Sequence, residues 1–172
     1  MIQTITEGRL TFRFADGVQV EKLDRQQVRM PHGMQLVDLV IEEDSRLILV
    51  EVKDYADPAG RPLTTSRLQQ APSVTAAVNQ QWVPKARDSY TYLHLMRRDD
   101  RPIVYVALVC EPRKLGNYES LDALGSQVLA RCHHEAEEAW RHRYVTACVA
   151  VTPAEWKRCF HQYKLSLRRQ RP

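Results

Sequence analysis

The chain has 172 residues, 44% of them hydrophobic and 27% charged, with a formal net charge of +4. That length suits one domain with a proper core. No apolar run is long enough to span a bilayer, and the N-terminus lacks a basic region followed by an apolar core, so the expected location is the cytoplasm.

The first predicted elements are strands. "LTFRF" and "VQVEKLD" flank "ADG" and read as a hairpin around a glycine turn. "MQLVDLVIEE" and "RLILVEVKD" follow as two longer strands joined near Asp44-Ser45. "YADPAGRPLTT" is a Pro/Gly-containing loop. Then the period changes. Val74, Ala77, Val78 and Trp82 have helical spacing; Pro84 is expected to interrupt, and "KARDSYTYLHLMRR" to resume the helix. "RPIVYVALVC" is a continuous apolar run suited to a strand covered on both faces.

"SLDALGSQVLARCHHEAEEAWRHR" predicts an amphipathic helix with Leu121, Leu124, Val128, Cys132 and Ala136 along one stripe. "YVTACVAV" is another buried strand. "TPAEWKRCFHQY" opens with Thr152 as N-cap, Pro153 at the first helical position and Glu155 closing a capping box. Its inner face is Trp156, Phe160 and Tyr163. The order ββββ-α-β-α-β-α predicts an α/β domain, a mixed β-sheet flanked by helices, over residues 1–163. Residues 164–172 are expected to form a basic C-terminal tail, where Arg168, Arg169 and Arg171 would contact nucleic-acid phosphates.

The chemistry centres on the two long strands. Side chains alternate faces along a strand, so Leu49, Glu51 and Lys53 share one face. A two-residue loop at Asp44-Ser45 pairs Glu43 with Arg46, and counting back sets Asp38 opposite Glu51. Two opposed carboxylates repel each other unless a cation relieves them. Mg²⁺ takes one or two protein carboxylates plus waters and phosphate oxygens. Lys53 would point to the same spot, able to stabilise phosphate charge or position an attacking water.

Asp38 followed by Glu51-Val52-Lys53 on the next strand resembles the signature of the PD-(D/E)XK, restriction-endonuclease-like nucleases, over roughly residues 34–110. "EVKDY" followed by a helix with "KARDS" is similar to uncharacterised bacterial members of that superfamily. The resemblance implies a restriction-endonuclease-like core, with Asp38, Glu51 and the Val52 backbone carbonyl holding Mg²⁺ (or Mn²⁺ as a substitute) and Lys53 assisting the water. DNA would be the substrate and RNA a further one; a homodimer is an assembly open to such a chain. Members often place a Gln or Lys from the following helix near the metal or phosphate, which singles out Lys85 and Gln69. They usually carry a helix with a further acid before the sheet. This N-terminus reads as a hairpin instead, leaving Glu7 and Glu21 as candidates for that acid. The alternative is a catalytically inactive nuclease-fold module that binds nucleic acid or a protein partner. Tyr55 would stack on a base or cap the core, and His32 reads as a turn histidine.

Overall fold

The computed structural model of the chain describes residues 2–25, 30–55 and 72–167. These residues form a mixed α/β fold with a three-stranded and a five-stranded sheet. β1 (Gln3–Glu7) and β2 (Leu10–Phe14) make an antiparallel hairpin. Its two-residue turn uses Gly8 at φ +54°, where a side chain would be strained. The strand β1 was not anticipated from the sequence.

The expected hairpin around "ADG" does not form. Gly17 still turns the chain, at φ +86°. However, β2 stays in the small sheet and β3 (Gln19–Lys22) joins the large one. The reason is burial. Leu10, Phe12 and Phe14 are fully buried, whereas β3 is partly exposed and pairs antiparallel with β4 (Leu39–Glu43). Non-local packing decides the partner of a strand more than a local turn does.

β4 and β5 (Arg46–Asp54) close as predicted, with Glu43 opposite Arg46 and the ladder running to Leu39 opposite Val50. β5 pairs in parallel with β6 (Ile103–Cys110), and β6 in parallel with β7 (Ala147–Val151), giving the order β3-β4-β5-β6-β7. The central strands are covered on both faces, which explains their unbroken apolar runs. Leu47, Leu49, Tyr105 and Val109 belong to a core shared with the helices between the strands. Ile48, Val50, Val106 and Leu108 belong to a second core shared with the small sheet.

α1 (Val74–Ala77) is capped by Ser73, whose side chain accepts from Ala76 N–H. It continues through a π-helical stretch, Val78–Trp82, into α2 (Val83–Leu95). Pro84 therefore does not interrupt the helix. Val83 N–H reaches back five residues to the Val78 carbonyl. This widened turn precedes a residue that has no N–H and whose ring crowds the preceding turn.

α3 (Leu121–His133) ends earlier than its sequence suggests, so Ala136 is not on the buried stripe. Residues 136–143 are exposed. Helical propensity without an apolar face to bury does not sustain a helix. α4 (Pro153–Cys159) has the predicted capping box, and Trp156 packs edge-on to Phe12 with ring centroids 5.4 Å apart. The expected tail is corrected at its start: Lys164–Leu167 is a strand, β8, antiparallel to β2, with Leu165 buried opposite Phe12. The basic composition of this segment obscured its alternation. Arg168, Arg169 and Arg171 lie outside the described residues. Among the described residues, no helix is long and apolar enough to cross a membrane.

Candidate functional site

Asp38 stands one residue before β4, with its carbonyl accepting from Leu23 N–H at 3.0 Å. The next step of the β4–β5 ladder beyond Leu39 and Val50 brings it opposite Glu51. Both acids are buried, Asp38 at 4% exposure and Glu51 at 0%. They converge on one ammonium. Lys85 Nζ lies 2.9 Å from Glu51 Oε1 and 3.9 Å from Asp38 Oδ1. Lys53 Nζ approaches Glu51 Oε1 at 2.8 Å. Glu51 thus meets Lys53, and the two acids lie side by side as the strand register predicts, joined through Lys85.

Lys85, a secondary candidate in the sequence, is central here. It sits in the first turn of α2, so this helix adds a second ammonium to the one that β5 supplies through Lys53. Two lysines then balance two acids, where one lysine beside two acids was expected.

Burial and the neighbouring Glu51 charge raise the Asp38 pKa to about 7, against the pull of Lys85 and the Val52 N–H. Burial disfavours the Lys85 charge, but Glu51 and Asp38 more than offset it, and its pKa is raised. Tyr55 packs against the core, and burial followed by the Glu51 charge pushes its phenol up. Its hydroxyl has no hydrogen-bond partner among the described residues. Of its two expected roles, the geometry matches the core cap.

Glu7 forms an ion pair with Lys22 at 2.6 Å, and its charge reaches Asp38 weakly. Glu21 lies elsewhere: Arg98 holds it at 2.8 Å, in a network that also ties Glu42 to Arg101. Gln69 falls outside the described residues. His32 is an exposed turn residue at φ +53°.

Two residues that sequence reasoning missed hold the site in place. Asp88 Oδ2 accepts from Gln35 N–H at 2.9 Å, and Ser89 Oγ accepts from Val37 N–H at 2.8 Å. Together they fasten the segment leading into Asp38 to the helix that carries Lys85. The signal was present in "KARDS", where Lys85, Asp88 and Ser89 are three and four apart and so share a helix face.

The donor chemistry suits Mg²⁺. Asp38 and Glu51 offer carboxylate oxygens only, and Asp38 Oδ1 has its compensating ammonium as far as 3.9 Å away. Among the described residues there is no group of three His, Cys, Asp or Glu that could hold a metal. A cation here would therefore rest on two protein carboxylates and complete its shell with waters, backbone or substrate oxygens. Comparison of the chain with protein-family models, curated proteins and solved structures returned no match in any of the three.

Proposed function

We propose that the chain is a metal-dependent nuclease of the PD-(D/E)XK type that hydrolyses phosphodiester bonds in DNA. The observation that carries this reading is the convergence of buried Asp38 and Glu51 on Lys85, with Lys53 alongside. Burying two carboxylates against two partly exposed lysines gives little net stability, and such clusters concentrate at functional sites. The antiparallel β3–β4–β5, the helix after it and the parallel β6 accommodate the restriction-endonuclease-like core that the motif implies. The β1–β2 hairpin stands where that resemblance would have a helix.

In this reading Asp38 and Glu51 hold the cation, assisted by the Val52 carbonyl. When bound, Mg²⁺ supplies Lewis-acid stabilisation and an activated water. Lys85, held between the two carboxylates, would offer its ammonium to a phosphate oxygen of the substrate. Lys53, 21% exposed, positions the attacking water or offsets charge in the transition state. Asp88 and Ser89 keep the Asp38 segment fixed to α2 throughout.

A second reading, a nuclease-fold module that binds without cleaving, draws on the close pairing of Glu51 with two lysines. Incubation with single- and double-stranded DNA and RNA, with Mg²⁺ or Mn²⁺ and with chelator, separates the two. Metal-dependent cleavage lost on Lys53→Met supports the nuclease. Binding without cleavage under every condition supports the module.

A further inference from the structure

A cleft of about 270 Å³ opens beside Lys85. Leu23 and Leu36, each 5% exposed, give it an apolar floor continuous with the core beneath the helices. Met30 and Met34, both half-buried, line it further. Its polar groups among the described residues are Lys85, the exposed side chains of Arg25 and Gln35, and Asp24, whose carboxylate lies 3.9 Å from Lys85 Nζ. The wall is firmly built, because Asp88 and Ser89 tie down the backbone of Gln35 and Val37.

We infer that this cleft binds a single nucleobase of the substrate strand, next to the phosphate presented to Asp38, Glu51 and the two lysines. The inference rests on the nuclease reading and adds a substrate preference to it. Three observations carry it. The first is size: the cleft falls just below the roughly 300–1,000 Å³ of sites for drug-sized ligands, which suits one ring system and not a stretch of duplex. The second is chemistry. A base has apolar faces and a hydrogen-bonding edge; the methionines and leucines suit the faces, and Gln35 and Asp24 suit the edge. The third is continuity: Lys85 lines the cleft and touches both acids, so a base held there sits beside the reacting phosphate. A base can enter only when unstacked, so single-stranded or frayed DNA is preferred to intact duplex.

The test uses the full chain labelled at its methionine methyl groups, titrated with thymidine 5′-phosphate and with 2-deoxyribose 5-phosphate, in chelator and in Mg²⁺. The Met30 and Met34 signals should move with the nucleotide and not with the sugar phosphate. Exposed Met96, beyond the end of α2, should stay put. The nucleotide should bind at least about tenfold tighter, a difference of about 1.4 kcal/mol. Met34→Trp, filling the cleft, should erase that advantage and leave any Mg²⁺-induced rise in melting temperature intact. Equal affinity for the two probes, or no shift at Met30 and Met34, overturns the inference, whatever the variant does. Metal-dependent DNA cleavage with silent methyl groups removes the cleft and keeps the nuclease. Nucleotide-specific shifts without cleavage keep the base site and remove the nuclease.

Discussion

Asp38 Oδ2 accepts a hydrogen bond from the Val52 N–H at 2.6 Å, so the first acid is fastened to the backbone between the second acid and its lysine. That bond favours the ionised form, yet burial and Glu51 prevail and leave the Asp38 pKa near 7. The unfolded value is about 3.9. The folded chain therefore holds this proton more tightly. Its stabilising contribution is fully present below the unfolded pKa and is lost as pH rises from about 4 through about 7. Asp38→Asn keeps an acceptor for Val52 and removes the titration. In urea melts at pH 5 and pH 8, the parent should lose more stability between the two than the variant does. Parallel losses would assign the titration to another group. If Asp38 holds a cation, metal would compete with the same proton, and Mg²⁺ affinity of the parent should climb through pH 7.

Lys85 faces two buried carboxylates, and its loss should cost more than that of Lys53. Lys85→Met leaves Asp38 without its ammonium and Glu51, fully buried, with Lys53 alone. Breaking such a pair typically costs about 3 kcal/mol or more. Glu51→Gln leaves both lysines without their shared partner and should also be destabilised. The double variant should regain part of the loss, which a double-mutant cycle by urea unfolding measures. Additive costs would mean that the two do not interact. Metal response separates the remaining roles. Mg²⁺ at about a hundredfold excess over its Kd should stabilise the parent by about 2.7 kcal/mol. That gain should survive Lys53→Met and vanish in Glu51→Gln.

The β4–β5 register was legible because a two-residue turn fixes every later pair, and Asp38, Glu51 and Lys53 came with it. The helices between strands were legible from their period. The partner of β2 was not, because three apolar residues in "LTFRF" reveal burial but not which sheet supplies it. Nor was β8, whose alternation is hidden in a basic segment. The rank of Lys85 depended on how α2 is seated over the sheet, and spacing does not state that. Ser89 was invisible for a related reason: its hydroxyl serves a backbone N–H 52 positions away.

The strand β8 changes what a truncation tests. Removing residues 164–172 deletes Leu165 from the second core and exposes an edge of β2, so it should destabilise the fold. Removing residues 168–172 leaves β8 whole. If Arg168, Arg169 and Arg171 contact phosphates, this shorter truncation should weaken DNA binding across sequences. It should also flatten the slope of log K against log salt by about 0.9 for each duplex phosphate that the arginines no longer neutralise. Melting temperature and salt-dependent binding of both truncations provide the check. An unchanged slope in the shorter one would leave the arginines without a role in binding.

Asp88 and Ser89 should act on Asp38 through the backbone, and a readout that ordinary destabilisation does not move can show it. Ser89→Ala deprives the fully buried Val37 N–H of its acceptor, costing about 1–3 kcal/mol. Asp88→Asn keeps an acceptor for Gln35 and loses the Arg87 ion pair, so it should cost less. A control comes from α3. A methyl group added at Gly125 would sit 3.2 Å from both Ala150 N and Cys148 O on β7. Gly125→Ala should therefore cost about 1–3 kcal/mol by overpacking, away from the acids. Urea unfolding should show Ser89→Ala and Gly125→Ala destabilised to a similar degree. The pH dependence of stability between pH 5 and 8, which reports the Asp38 proton, should change in Ser89→Ala and stay that of the parent in Gly125→Ala. If both variants keep the parental profile, Ser89 supports the fold without tuning Asp38, and the link from α2 to the carboxylates runs through Lys85.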